Sequence, residues 1–306
     1  MISVIIPTLN RPTLLKELLL NLENQVKKPN QIILVDASEP NHQINQKLFS
    51  AISIPIIYVK SDIKSAAIQR NIGLTLVPKE CEYLAFLDDD ISINRDYFQI
   101  IVKHFNDKKI AGISGLAINP NTNSKILRLS RLKRLFFLDS KHEGTITPGG
   151  INIPFKKIST NSDLRKSEWL IGCSVWRYNK INDIKFNDKF LGQSLFEDVI
   201  FSLRAAKFGK LYVDCSLKLT HYESNLSRPN FSDFYQMWVF NRYFVIRLLK
   251  NKKFSRLAFH WTNFGKLIQL IFIWILNPKK NSLKLTGFFR GYLKLIRGDF
   301  LKNNEN

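Results

Sequence analysis

Tyr83-Leu84-Ala85-Phe86-Leu87-Asp88-Asp89-Asp90 decides how this chain is read, because an apolar run ending in three consecutive carboxylates is costly unless a cation meets it. The run is short and is followed by a helix-like stretch from Asn94 to Phe105, the pattern of a buried parallel strand in an α/β sheet. Ligands bind such sheets at the carboxyl ends of the strands. Side chains alternate along extended backbone, so Asp88 and Asp90 project to one side and Asp89 to the other. Two of the three can then share one ligand. A hard divalent cation, Mn²⁺ or Mg²⁺, relieves their repulsion and leaves coordination positions for diphosphate oxygens. A solvated turn that also caps the next helix is the plainer alternative, and the neighbouring segments have to decide between the two.

Outward from the triplet, apolar runs alternate with helical patterns. Ile2 to Ile6 precedes a helix from Pro12 to Asn24 with leucines at helical spacing, and Ile32 to Val35 follows. Ile54 to Val59, a helix from Ser65 to Leu76 and then Tyr83 to Leu87 continue the rhythm. Repeated β-α units predict a mostly parallel sheet with helices on both faces. Ile110 to Ile118 adds a strand, and residues 119–166 are less regular, with Asn-Pro-Asn-Thr-Asn, a basic amphipathic piece from Arg128 to Arg134, and Pro148-Gly149-Gly150. A strand over Trp169 to Val175, a helix from about Ser194 to Phe208 and a strand near Leu211 to Val213 close an α/β unit at about residue 225. Beyond Pro229 the pattern changes to long helices at Phe231 to Leu249, Arg256 to Leu276 and Ser282 to Ile296.

The 306 residues, 45% of them hydrophobic, hold ample core for one large domain with an appendage or for two domains. Three widely separated cysteines without CxxC spacing suggest neither disulfides nor a zinc site, and a reducing compartment fits. Ile2 to Ile6 is ended by Pro7 and reads as a strand rather than a signal peptide, so the expected location is cytoplasmic. The net charge of +21 is uneven: residues 226–306 carry +12 of it. Such a region faces something anionic, nucleic acid or a membrane surface. Leu267 to Leu276 is too short to span a bilayer, whereas Trp238, Trp261 and Trp274 beside Lys and Arg suit helices lying in a membrane interface. Packing on the catalytic unit or on a second subunit is the alternative.

Polar clusters fall at successive strand ends. Pro7-Thr8-Leu9-Asn10-Arg11 follows strand one and offers backbone and side-chain donors to a nucleotide. Asp36 stands directly after strand two, either as an acid for a base or ribose or as a turn residue. Arg70, in Gln69-Arg70-Asn71-Ile72-Gly73, either holds a diphosphate or orders the acidic triplet through a salt bridge. Phe196-Glu197-Asp198-Val199 opens a helix, where a carboxylate also suits the helix dipole. An attacking hydroxyl needs a base, and Asp198 is the candidate. His221 is a candidate additional metal ligand.

Taken in order, these clusters together with Trp169-Leu170-Ile171-Gly172-Cys173 resemble glycosyltransferase family 2 and its GT-A fold over about residues 1–225. The resemblance implies inverting sugar transfer from a nucleotide-diphosphate donor to a hydroxyl of a glycan or lipid-linked glycan. It implies a DxD motif at Asp88 and Asp90, with Asp90, Asp88 and His221 on the metal, and Asp198 as catalytic base. Pro7, Thr8, Asn10, Arg11, Asp36, Arg70, Asp88 and Asp89 fall to nucleotide and donor binding. Trp169, Gly172, Cys173, Arg177 and Glu197 fall to the sugar and acceptor pocket. Many such acceptors ride on polyprenyl diphosphate, so residues 226–306 become a peripheral anchor to anionic lipid at the inner face of the cell membrane.

Two other classes compete. A nucleic-acid-binding protein would use the basic aromatic tail, but no recognised module is present and the acidic clusters would repel phosphate. A metal-dependent nucleotidyltransferase would want a Gly-rich loop after strand one, and Pro7 to Arg11 has no glycine.

Overall fold

The computed structural model describes residues 1–42, 44, 49–119, 130–188, 195–222, 230–249 and 256–298. Its strands are β1 (Ile2–Thr8), β2 (Gln31–Asp36), β3 (Ile56–Lys60), β4 (Tyr83–Phe86), β5 (Ile91–Ile93), β6 (Ile110–Ile118), β7 (Leu164–Ser167), β8 (Ser174–Arg177) and β9 (Lys210–His221). Its helices are α1 (Pro12–Glu23), α2 (Ala66–Leu74), α3 (Tyr97–His104), α4 (Ser130–Leu135), α5 (Glu197–Ala205), α6 (Phe231–Leu248), α7 (Arg256–Leu276) and α8 (Pro278–Ile296). Most of the Asn-Pro-Asn-Thr-Asn run, Arg128, the expected helix start at Ser194 and the expected boundary at residue 225 lie outside the described residues.

One nine-stranded sheet runs β3-β2-β1-β4-β8-β6-β9-β5, with β7 added on β9. The N-terminal strands pair in parallel as the β-α rhythm requires: β1 with β2 and β4, and β2 with β3. The far half is mixed. β8 runs antiparallel to both β4 and β6, and β9 is parallel to β6 but antiparallel to β5 and β7. The strand expected over Trp169 to Val175 is displaced, since β8 begins only at Ser174 and the unforeseen β7 ends at Ser167. Gly172 and Ser174 weaken the apolar signal at the true strand start, and the polar Arg165 and Lys166 of β7 give no signal of a buried strand at all.

Alternation along the strands builds two cores. Val4 and Ile6 of β1 join Leu15, Leu18, Leu19 and Leu22 of α1 and Phe98 and Ile101 of α3 on one face. Ile5, Ile33 and Leu84 join Ala67 of α2 and Phe201 and Ala205 of α5 on the other. Burying a leucine or phenylalanine contributes roughly 1.5–3 kcal/mol, so the four leucines of α1 hold that helix even though no side chain caps it. A third cluster joins Phe196, Val199 and Ile200 at the start of α5 to Trp238 and Val239 of α6, Phe259 of α7 and Phe288 of α8. The helical region therefore shares apolar packing with the helix that carries Glu197 and Asp198.

Order within the sheet positions the site. From β1 the chain moves to β2 and β3 on one side, and then to β4 on the other. The crevice at such a reversal is where open α/β sheets bind ligands, and it lies between Thr8 and Asp88.

Candidate active site

Past β4 the chain turns at Asp89 and Asp90 instead of staying extended, yet Asp88 and Asp90 come together as expected from sequence. Asp88, Asp90 and His221 gather with donor atoms all within 4.8 Å of one another. Asp89 turns the other way and is 4% exposed. It accepts from Thr8 Oγ1 at 2.6 Å and from Arg11 Nη1 at 3.0 Å. Both of its oxygens are engaged by the protein, so Asp89 ties β4 to β1 rather than facing a donor. That corrects its expected binding role.

His221 arrives from 131 positions beyond Asp90 because β5 leaves the triplet directly and pairs with the end of β9, setting Ile91 opposite His221. The Tyr222 amide then donates to the Asp90 carbonyl at 2.8 Å. β9 pairs with β6 along one edge and with β5 along the other, with a register irregularity where β6 passes from Gly115 to Leu116. His221 Nε2 stands 3.0 Å from Asp90 Oδ1, and this contact raises the imidazole pKa against the effect of burial.

Arg70 is the second organiser. α2 starts at the Ser65 cap, whose hydroxyl accepts from Ile68 N, and it packs so close to β1 that a Cβ on Gly73 would stand 2.6 Å from Ile5. The guanidinium, 3% exposed, donates to Asp88 Oδ1 at 2.5 Å and to Glu197 Oε1. Burial opposes its charge, but Glu197 and Asp88 raise its pKa. Burial likewise works to raise the Asp88 carboxyl, yet Arg70 and His221 hold it below its ordinary value. Of the two roles open to Arg70, ordering the triplet is the one its contacts serve.

Glu197 and Asp198 follow Phe196, a bulky residue held at φ 72. Left-handed backbone at such a residue costs on the order of 1–3 kcal/mol, and it persists here because Phe196 is buried in the third cluster while Glu197 must meet Arg70. Asp198 is partly buried and accepts from its neighbour's Val199 N at 2.8 Å. Burial pushes its pKa up to about 6, with the Val199 amide and Arg70 opposing. Burial also raises Asp89 to about 6, against the Thr8 bond.

The remaining expected site residues divide. Pro7 is buried in β1, and Asn10, at φ 58, takes its amide to Ser38 Oγ and accepts from Glu39 N, joining the loops after β1 and β2. Arg11 Nη1 also reaches Asp90 Oδ2 at 2.8 Å. Gly172 leaves room for Arg70, whose Nη2 would lie 3.1 Å from a Cβ there. Cys173 Sγ accepts from Asp88 N at 3.3 Å.

Asp36 has partners of its own, and the expectations for Trp169 and Arg177 are corrected. Asp36 is fully buried, with Ser38 N on one oxygen and Tyr58 Oη and Lys60 Nζ on the other. Tyr58 and Lys60 share one face of β3, a pairing that alternation in that strand would have revealed. Trp169 packs in the third apolar cluster with its indole N–H on Ile153 O at 3.4 Å, inside the core rather than in a sugar pocket. Arg177 is carried away from the triplet because β8 runs antiparallel to β4: Ser174 pairs with Phe86, but Arg177 pairs with Tyr83 at the opposite end. Its guanidinium donates to the Phe105 and Ile110 carbonyls.

Arg11, Arg70 and His221 thus face five carboxylates, Asp88, Asp89, Asp90, Glu197 and Asp198. Negative charge remains in excess, and two carboxylates with an imidazole suit a divalent cation. The donor set fits one.

This combination of sheet, switch-point crevice and acidic cluster is that of a GT-A glycosyltransferase. The fold is similar to that of S. aureus TarS residues 1–349, with TM-score 0.54, 16% identity and coverage of 82% of this chain and 67% of that one. The same TarS fragment in complex with UDP-GlcNAc matches at TM-score 0.54 and 18% identity, covering 82% and 68%. GalNAc-T7 with UDP, GalNAc and Mn²⁺ matches at TM-score 0.52 and 16% identity, covering 78% of this chain and 47% of that one. No curated protein matches the chain in sequence. The chain belongs to glycosyl transferase family 2, whose family model matches residues 3–160.

Removing the Arg70 charge takes a buried cation away from both Asp88 and Glu197. Arg70→Met is expected to destabilise the fold by about 3–5 kcal/mol, read as a lower urea midpoint. An unchanged midpoint would show that Arg70 does not hold the cluster together.

Proposed function

We propose that this glycosyltransferase moves a sugar, with inversion, from a nucleotide-diphosphate donor to a hydroxyl of a glycan or lipid-linked glycan. The observation that carries the reading is the convergence of Asp88, Asp90 and His221 beside a separate carboxylate, Asp198, whose pKa near 6 suits a base at neutral pH. TarS and GalNAc-T7 structures holding UDP-GlcNAc, or UDP with Mn²⁺, support the donor class by fold likeness.

In this mechanism Asp198 takes the acceptor proton as the hydroxyl oxygen attacks the anomeric carbon. The bond from that carbon to the diphosphate oxygen breaks on the opposite side. Asp88, Asp90 and His221 would hold Mn²⁺ or Mg²⁺, which would supply neutralising charge for the departing nucleoside diphosphate. Arg70 keeps Asp88 ionised and aimed, while Thr8 and Arg11 hold Asp89 out of the way.

The same reading extends to an anionic membrane surface beneath the helical region. No helix among the described residues is long and apolar enough to cross a membrane. What supports surface binding is the outer face of α7, where Leu257, Trp261, Phe264, Ile268, Phe272 and Ile275 recur at helical spacing and stay 41–77% exposed. Lys279, Lys280 and Arg290 lie exposed on the adjoining α8 and Arg297 just past its end, the pairing of apolar face and cations that binds anionic lipid.

Asp198→Asn is expected to lower kcat by roughly 10²- to 10⁴-fold with donor affinity unchanged; wild-type turnover from this variant would remove the base assignment. An ionised Asp198 is required, so wild-type kcat/KM should fall as pH drops through about 6. Asp90→Asn should weaken Mn²⁺-dependent donor binding in calorimetry, and donor affinity indifferent to both EDTA and this change would sink the metal reading. Phe264→Glu with Phe272→Glu should abolish flotation with phosphatidylglycerol vesicles and leave donor binding intact. Flotation equal to wild type would exclude α7 as the lipid face.

A further inference from the structure

At the far end of the sheet from the acidic cluster lies an open cleft of about 820 Å³, a size ordinary for ligand sites. Six lysines line it: Lys108, Lys109, Lys166, Lys180, Lys207 and Lys210. At the chain's own share of Lys and Arg, a lining of this length would hold about two. The lysines arrive from separate elements, the turn before β6, the end of β7, the segment after β8, the end of α5 and the start of β9. Two have local reasons to be there, since Lys180 Nζ donates to the Phe208 carbonyl at 2.6 Å and Lys207 follows the carbonyl end of α5. Among the described residues the ammonium groups of the other four meet no carboxylate. The only acid on the wall, Glu168, is committed to Ile146 N at 2.7 Å.

Four unneutralised ammonium groups around one concavity repel each other unless an anion joins them. All six cations are lysines, flexible point charges rather than the planar forks that fix one carboxylate or phosphate. Such a rim suits many anionic groups in varied positions better than one small molecule. Between the lysines, Ile146, Leu203, Phe208 and Leu249 supply apolar surface.

We propose that this cleft binds an anionic polymer chain, with successive phosphate or carboxylate groups on the lysines and its carbon skeleton against the apolar floor. β6 and β9 run in parallel from the cleft toward His221, and nine residues of β6 at about 3.3 Å each put the two sites on the order of 25 Å apart. Resting on the transfer reading above, the cleft then holds a remote stretch of a long acceptor and raises its effective concentration at Asp198.

The test uses long-chain inorganic polyphosphate as probe, the full chain as protein, and fluorescence anisotropy at low salt. Lys108→Glu/Lys166→Glu/Lys210→Glu is expected to weaken binding about tenfold or more. It should also flatten the slope of log affinity against log salt by roughly two. The neutral triple variant with Gln at the same positions should show a smaller loss in the same direction, which separates charge from misfolding. Nucleotide-sugar and Mn²⁺ binding should stay unchanged in both variants, so failure of the cleft and failure of the donor site are read separately. Polyphosphate affinity equal to wild type in both variants would overturn the proposal. So would a loss confined to phosphatidylglycerol vesicles, which would make the cleft a headgroup site instead.

Discussion

The Arg70 guanidinium, buried between Asp88 and Glu197, is the contact on which the site depends. Three elements far apart in sequence, α2, β4 and the start of α5, meet at one cation. Without it two carboxylates would sit close together in a poorly solvated crevice, and each would be driven toward protonation. With it Asp88 stays ionised, and the carboxyl end of β4 keeps its charge facing outward. The room for this cation comes from glycine: Gly73 lets α2 approach β1, and Gly172 gives the guanidinium space on the other side.

A division of labour among like groups follows from the same geometry. Asp88, Asp89 and Asp90 are chemically identical and adjacent, yet one is drawn to Arg70, one to Thr8 and Arg11, and one to His221 and Arg11. The turn at Asp89 and Asp90 separates the middle residue, and the switch point between β1 and β4 supplies its partners. Asp198 differs from Asp88 because burial outweighs the cations near it, and from Asp89, also raised to about 6, because no direct ion pair to it is found among the described residues. The proposed metal-binding and proton-accepting roles would thus be separated by environment rather than by residue type.

The helical region is tied to this chemistry through packing. Phe196 is held in left-handed backbone by the cluster it shares with Trp238, Phe259 and Phe288. Its neighbours Glu197 and Asp198 are aimed by that constraint. Arg242 of α6, fully buried with its guanidinium 3.7 Å from the Trp238 ring centroid and bonded to Asn263, shows how far the region departs from a simple amphipathic cover. Burial lowers its pKa to about 9. Outside this core the helices turn an apolar face and a set of cations outward, which is where their excess charge resides.

Much of this was legible in the residues alone. The β-α rhythm from Ile2 to Leu87 and the three long helices follow from periodicities of two and 3.6, which are local properties of the backbone. The order of the polar clusters pointed to the family. What tertiary structure decided was access and direction. Asp36 looked open after its strand, but it is fully buried, with Ser38 N on one oxygen and Tyr58 and Lys60 of the next strand on the other. Arg177 looked adjacent to Cys173, but the antiparallel course of β8 sends it to the wrong end of the sheet. His221 became a partner of Asp90 only because β5 and β9 pair across a long separation in sequence. Strand direction and cross-strand pairing are set by long-range burial and hydrogen bonding, and no local pattern in the chain encodes them.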